Sequence, residues 1–416
     1  MDAVRAALLA ALDEAGAPPE HRRSVVEALG KVGGDEVLTR LRALEAGADG
    51  ELARRQARAS LMIERDAGRA EASSVRLDAA LGGVDVIVHC RDGLAPMLVD
   101  ELGERGLKAT TVRPGAVRVR GAATLGDVLG ARLALAVGLP LAAPATSAAS
   151  TPDQVADGLA HNLAARAPLL AALTDGPVRW RLELLGEGHR RGLVWGCAQR
   201  VRALAPSLIN DPAQTTWDVV YDAARGELDV RPRRFVDARF AWRKRDVPAA
   251  SHPTIAAALA RLGGARPDDV VWDPFCGSGA ELIERALLGP AARIVGTDLS
   301  VDALAAATEN VAAASFGERI ELRRGDARTD APAGVSLIIT NPPLGRRLRG
   351  DVTELLLAFA RHAGAALVPG GRLVWLTPIA RESDALLRSL GMRLERDQAV
   401  DLGGLDAPMQ RWVRPR

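Results

Sequence analysis

The stretch DVVWDPFCGSGAELIERAL at residues 269–287 constrains this chain more than any other. Val270, Val271 and Trp272 form an apolar run of strand length that stops at Asp273. A turn with glycines at 277 and 279 follows, and then a helical pattern. Glycine lets the backbone take positive φ and lets a ligand approach it closely. A helix that starts directly after such a turn aims its free N–H groups into the same crevice. Strand and helix patterns then alternate to the end, with strands expected at 269–273, 293–297, 319–323, 334–340, 371–376, 392–396 and 408–413. That alternation predicts an α/β domain, a doubly wound and mostly parallel seven-stranded sheet. Its ligand crevice belongs at the carboxyl ends of the strands.

Two more acids fall at strand ends. Asp298 closes RIVGTDLS, where a carboxylate can accept from two ribose hydroxyls, and Asp326 follows the third strand in RRGDAR. A dinucleotide fingerprint would need a third glycine three residues after Gly279, but Leu282 stands there. Further on, VSLIITNPPLGRRLRG (335–350) is an apolar strand ending in Asn341-Pro342-Pro343. Proline cannot donate a ladder hydrogen bond, so the strand stops and the stiff turn holds the Asn in place. The Asn341 side-chain oxygen and the Pro342 carbonyl can both accept hydrogens of an amine and orient its lone pair.

In this order these motifs resemble those of class I S-adenosylmethionine-dependent amino-methyltransferases. The resemblance implies a cofactor, S-adenosyl-L-methionine, bordered by Thr254, Asp273, Phe275, Gly277, Ser278, Gly279, Asp298, Leu299, Asp326, Ala327 and Asn341. It implies a catalytic turn of Asn341, Pro342, Pro343 and Leu344. The family usually has Tyr or Phe where Leu344 stands, to stack on an extruded base; Trp242, Phe240 or another aromatic could substitute for it in space.

Upstream, CRDGLAPMLVDELGERG and ARLALAVGLPLA look like the N-terminal ferredoxin-like domain of THUMP-containing RNA methyltransferases, and 146–238 has the length and order of the THUMP domain. VPAASHPTIAAALARL resembles the entry helix of that family's catalytic domain. The implied organisation is a helical segment at 1–80, a ferredoxin-like domain at 82–145, a THUMP-like domain at 146–238, a linker and entry helix at 239–262, and the methyltransferase domain at 263–416. Within the upstream half, a strand is expected at 84–90, another at 117–121, a helix over 125–141, a helix near 153–170, a strand at 178–185 and a hairpin turning at 223–226. Residues 1–75 read as about four short helices, and HRRSVVEALGKVGGDEVLTRLRAL resembles one HEAT-type repeat unit, a surface that could hold a protein partner.

The family resemblance implies methylation of guanine N2 in tRNA or rRNA. Methylation of adenine N6 or another amine, and a degenerate scaffold that binds cofactor or RNA, are the alternatives. The net charge of +2 decides nothing, so an RNA partner must be argued from local clusters. Arg231, Arg233, Arg234, Arg243, Lys244 and Arg245 form one, opposed in sequence by Asp237 alone, and Arg346, Arg347 and Arg349 follow the catalytic turn. His161, His189 and His252 lack spaced partners, so surface or capping roles are expected. Three scattered cysteines, Cys90, Cys197 and Cys276, give no zinc spacing and no disulfide framework. With no long apolar run and no cleavable leader pattern, a cytoplasmic protein is expected.

Overall fold

A computed structural model describes residues 2–14, 16–69, 71–144, 150–186, 190–248, 250–343, 352–404 and 406–416. The chain divides into two units, Met1–Ala80 with Leu139–Phe235, and Leu81–Gly138 with Val236–Arg416. Among the described residues no helix is long and apolar enough to cross a membrane.

In the first unit, helices Asp2–Leu12, Pro19–Val32, Asp35–Ala43 and Gly50–Arg69 enclose a core that includes Val26, Leu29, Val37 and Leu41. Gly30 lets the second and fourth helices touch: a Cβ there would stand 2.7 Å from the Ala59 methyl. The remainder places strand Val178–Leu185 between Leu208–Asn210 and Trp217–Asp222, parallel to both. Trp217–Asp222 forms the expected hairpin with Glu227–Pro232. The single helix expected near 153–170 is two, Pro152–Ala164 and Ala167–Ala172. Pro168 sits in the first turn of the second, where its missing N–H costs nothing.

The second unit opens with strand Val86–His89, paired antiparallel to Ala116–Arg120 and to the start of Ala136–Leu141. The helix expected over 125–141 is thereby corrected. Thr124 caps a short helix, Leu125–Leu129, through a reciprocal bond with Asp127, and strand Ala136–Leu141 follows Gly130. Gly138 and Pro140 oppose a continuous helix, and strand pairing buries Val137 and Leu139. The edge strand Lys108–Arg113 carried no apolar alternation, with mostly exposed side chains, and was not foreseen.

The larger part of this unit contains entry helix α1 (Pro253–Gly263), β1 (Val270–Asp273), α2 (Ala280–Leu287), β2 (Arg293–Asp298), α3 (Val301–Ala313), β3 (Ile320–Arg324), β4 (Leu337–Thr340), α4 (Val352–Ala366), β5 (Arg372–Leu376), α5 (Ala380–Ser389), β6 (Arg393–Asp401) and β7 (Asp406–Val413). All seven expected strands are present. Their order is β3-β2-β1-β4-β5-β7-β6, with the first five parallel and β7 antiparallel to both neighbours. Trp272, Phe359, Trp375 and Trp412 are fully buried in this unit's core. At the amino ends of the strands, buried Asp269 binds Arg372, Arg285 and Ser336. Burial pushes its carboxyl up, but Arg372 and the other donors outweigh that and hold it at about 2. This cluster locks β1, β4 and β5 together at the end away from the glycine turn.

Candidate active site

The glycine turn follows β1, beside the switch point between β1 and β4, where the strand order reverses. Gly277 has φ +50° and Gly279 has φ +84°, so both occupy the left-handed region. At Gly279 a Cβ would also come within 3.3 Å of Ala307 on α3. The Gly277 N–H donates to Asp298 Oδ2 at 3.0 Å, and the Ser300 N–H donates to Asp298 Oδ1 at 2.9 Å. The acid is thus pinned with lone pairs remaining for ribose hydroxyls.

Asp273 is fully buried. Its Oδ1 accepts from the Thr340 hydroxyl at 2.7 Å and the Phe275 N–H at 3.1 Å, while Oδ2 is buried without a partner among the described residues. Burial, followed by the nearby Glu281, pushes its carboxyl well above the usual range. An orphaned buried carboxylate oxygen beside left-handed glycines and a strand-end acid is a donor-seeking site. It fits a ligand with an ammonium and ribose hydroxyls, as S-adenosylmethionine has. Phe275 meets Phe359 edge to face, with centroids 5.3 Å apart, which gives the turn an apolar floor. Ser278 and Ala327 are buried, and Leu299 is 55% exposed. Thr254 is fully buried at the start of α1, where His252 caps the helix. Burial, then Arg91 and Arg243, lower the His252 imidazole to about 4 and keep it neutral. Asp326 is gripped by Arg328, at 2.6 Å, which holds its carboxyl low; its role as an acceptor for an adenine amine requires sharing with that guanidinium.

Asn341 ends the β4 run, and Pro342 behind it is buried. Its Nδ2 donates to Ser251 Oγ at 2.9 Å, whereas Oδ1 is shielded from solvent and has no partner among the described residues. Ser251 Oγ donates onward to Glu281 Oε1. Neither Ser251 nor Glu281 had been singled out by sequence. Ser251 sits in the 236–252 connector, and Glu281 looked like an ordinary first-turn helix acid, so only the fold brings them to Asn341. Leu344, Arg346, Arg347 and Arg349 lie outside the described residues, as does His189.

The two aromatics named as stacking candidates, Phe240 and Trp242, are already packed. Phe240 lies beneath the guanidiniums of Arg132 and Arg239, 4.9 and 5.0 Å from its centroid, and Trp242 is only 6% exposed. The basic cluster is also better neutralised than its sequence suggests. Arg231 pairs with Asp229, Arg233 with Asp218, Arg243 with Asp246 and Arg245 with Glu309. Arg234 and Lys244 are exposed and form no ion pair among the described residues. The backbone N–H groups of Lys244 and Arg245 donate to buried Asn310, which also holds the Ser278 carbonyl and so ties the connector to the glycine turn. The three cysteines are buried and free, and among the described residues no acid, His or Cys group could hold a metal.

Residues 241–407 match the RMKL-like methyltransferase domain. A release factor glutamine methyltransferase of Cereibacter sphaeroides is 32% identical over 42% of this chain and 75% of its own length. The chain belongs to the methyltransferases. A tRNA (guanine(6)-N2)-methyltransferase of Thermus thermophilus is 39% identical to this methyltransferase, over 37% of this chain and 47% of its own length. The corresponding enzyme of Archaeoglobus fulgidus is 28% identical, over 39% and 48%. The methyltransferase thus spans about half the length of these curated relatives. The crystal structure of TrmN from Thermus thermophilus superposes with a TM-score of 0.62 at 26% identity, covering 79% of this chain and 99% of TrmN.

Proposed function

We propose that this methyltransferase transfers a methyl group from S-adenosylmethionine to the N2 amine of a guanine in structured RNA, with tRNA the favoured class. The observation that carries the chemistry is the buried, unpartnered Asn341 Oδ1 at the end of β4. A base amine is a poor nucleophile because its lone pair is delocalised into the ring. The Asn341 oxygen and the Pro342 carbonyl accept its hydrogens, orient the lone pair and favour the positive charge that develops on nitrogen. Pro342 and Pro343 stiffen the turn, so little ordering is left to the moment of reaction. Asp273 and Asp298 hold the cofactor by its ammonium and ribose. The bound cofactor supplies a methyl group already activated on a sulfonium, so the chain need supply neither a strong base nor a covalent intermediate.

The RNA assignment is supported by the two relatives named for tRNA guanine N2 and by a similarity to TrmN that extends well beyond the catalytic domain. Residues 146–238 are assigned to RNA binding as a THUMP-like domain, with its Arg234 and the linker's Lys244 available for phosphate. Arg346, Arg347 and Arg349 would meet the strand beside the catalytic turn. Residues 1–80 stand outside the family match and are assigned to a protein partner, so their removal should leave methylation of RNA intact. The site of action is the cytoplasm. A second reading, transfer to a glutamine side-chain amide, is favoured by the relative named as a release factor glutamine methyltransferase, since a carboxamide nitrogen, like a base amine, has a delocalised lone pair and two hydrogens to be accepted.

The test is incubation with labelled S-adenosylmethionine and total RNA from cells lacking the gene. Label in one tRNA fraction that digests to N2-methylguanosine is the expected result. Label in another nucleoside rejects the guanine assignment. In a parallel incubation with a release factor added, label only in that protein supports the second reading.

A further inference from the structure

A carboxamide has two ends of nearly equal shape and opposite hydrogen-bonding character. If Asn341 receives an amine, its oxygen must face the substrate and its NH2 must face away. The surrounding hydrogen bonds fix that choice. Ser251 Oγ has one hydrogen, and it is committed to Glu281 Oε1. Toward Asn341 the hydroxyl can then only accept, and it takes Nδ2 at 2.9 Å. The oxygen end is left turned away from Ser251, in a space where it has no other partner among the described residues. We propose that Glu281, acting through Ser251, is a positioning residue that sets the orientation of the Asn341 carboxamide and presents its oxygen to the substrate amine. This rests on the reading of Asn341 as the acceptor of that amine.

The chain of bonds has a polarity, and the charge on Glu281 sets it. A protonated Glu281 donates to Ser251, whose own hydrogen then points at Asn341 and draws the amide oxygen toward it. The NH2 end would face the substrate, and transfer would stop. Glu281 lies on the first turn of α2 and is 4% exposed. Arg243 of the connector favours its charged form, while Glu284 one turn along oppose it. Asp273 at the end of β1 is coupled to it by charge. Arg243 is itself fixed by its bonds to Asp246 and to the Ser251 carbonyl. Burial brings the Glu281 carboxyl to about 7, so the two polarities exchange near neutrality. Because Asp273 interacts with it, the observed step belongs to the pair.

The experiment follows the Asn341 side-chain amide by NMR in selectively labelled full-length protein, with the signal assigned by its loss in Asn341→Ala. In parallel, kcat and KM for RNA are measured from the acid to the alkaline side of neutrality. The amide signal is expected to shift through one step near pH 7, and kcat to fall on the acid side by roughly tenfold per pH unit for one proton. KM for RNA should stay level. Glu281→Gln should abolish the step in both readouts. Ser251→Ala should lower kcat with cofactor affinity by calorimetry unchanged, and Ser251→Thr, which keeps the hydroxyl, should restore it. An amide signal indifferent to both pH and Glu281→Gln overturns the proposal. Should the parent transfer no methyl group to any acceptor, the reading of the site fails, while the amide signal still decides what orients Asn341. If Glu281→Gln does not fold, the same pH series on the parent and on Ser251→Ala decides it, since loss of the hydroxyl must uncouple the amide from Glu281.

Discussion

At the scale of single residues, the site is marked by polar atoms left without partners. Asp273 Oδ2 and Asn341 Oδ1 are both buried and unpaired, and each such atom costs about 1–3 kcal/mol in the free protein. A bound ligand would relieve that cost, and variants on the acceptor side and the cofactor side of the site, Asn341→Ala and Asp298→Ala, should have different signatures. Asn341→Ala should lower kcat by roughly 10²–10³, the scale of losing one preorganised acceptor, with cofactor affinity by calorimetry unchanged. Asp298→Ala should instead weaken cofactor binding by about 1.5–3 kcal/mol, because it removes a charged acceptor and frees the Gly277 N–H. Glu281 makes a pH-dependent contribution to stability. Its carboxyl is raised from 4.5 to about 7, so the folded state holds its proton more tightly than the unfolded state. That contribution is complete below the ordinary carboxylate value and is lost as pH rises through about 7. Denaturant unfolding at pH 5 and pH 8 should therefore show the parent losing stability relative to Glu281→Gln at the higher pH.

At the scale of elements, close approaches decide where the turns and helices can lie. Gly279 combines φ +84° with the 3.3 Å approach of Ala307, so Gly279→Ala should destabilise the second unit by about 1–2 kcal/mol from backbone conformation alone. It should also displace α2 and with it Glu281. A thermal melt and a cofactor titration would read the two effects together. A buried ion pair makes the second contact of this kind. Arg132 meets Glu284, whose side chain is 1% exposed, and joins the segment after Leu129 to α2. Arg132→Ala leaves that carboxylate unpaired in the interior, a loss of about 3–5 kcal/mol for a buried pair broken on one side. Burial already raises the Glu284 carboxyl against the pull of Arg132, so the variant should take up a proton on folding and melt lower as pH rises. A melting temperature equal to the parent's at both acid and alkaline pH would mean that the pair does not hold these elements.

At the scale of the whole molecule, RNA affinity should come from few free charges rather than from the sum of the basic cluster. Most of its arginines already face an acid, so Arg234 and Lys244 are the residues whose removal should matter. Each change to Ala should lower the slope of log affinity against log salt by roughly one, while Arg233→Ala should change it less. The sequence by itself determined the seven strands of the second unit's large sheet and their alternation with helices, whereas their order came only from the structure. The reason is that apolar strand runs, left-handed glycines and strand-end acids are local requirements of a parallel α/β sheet. It also located Asn341, Asp273 and Asp298, which those local motifs carry. It misread 125–141, where an apolar run suits helix and strand alike and only pairing with Val86–His89 settles Ala136–Leu141 as strand. It could not see that Phe240 and Trp242 are occupied, that Asp237 is one of several acids in the basic cluster, or that Ser251 and Glu281 converge on Asn341. The convergence on Asn341 depends on residues 30 and 90 positions apart meeting in space, and hydrogen bonds at such separations leave no periodic trace in a sequence.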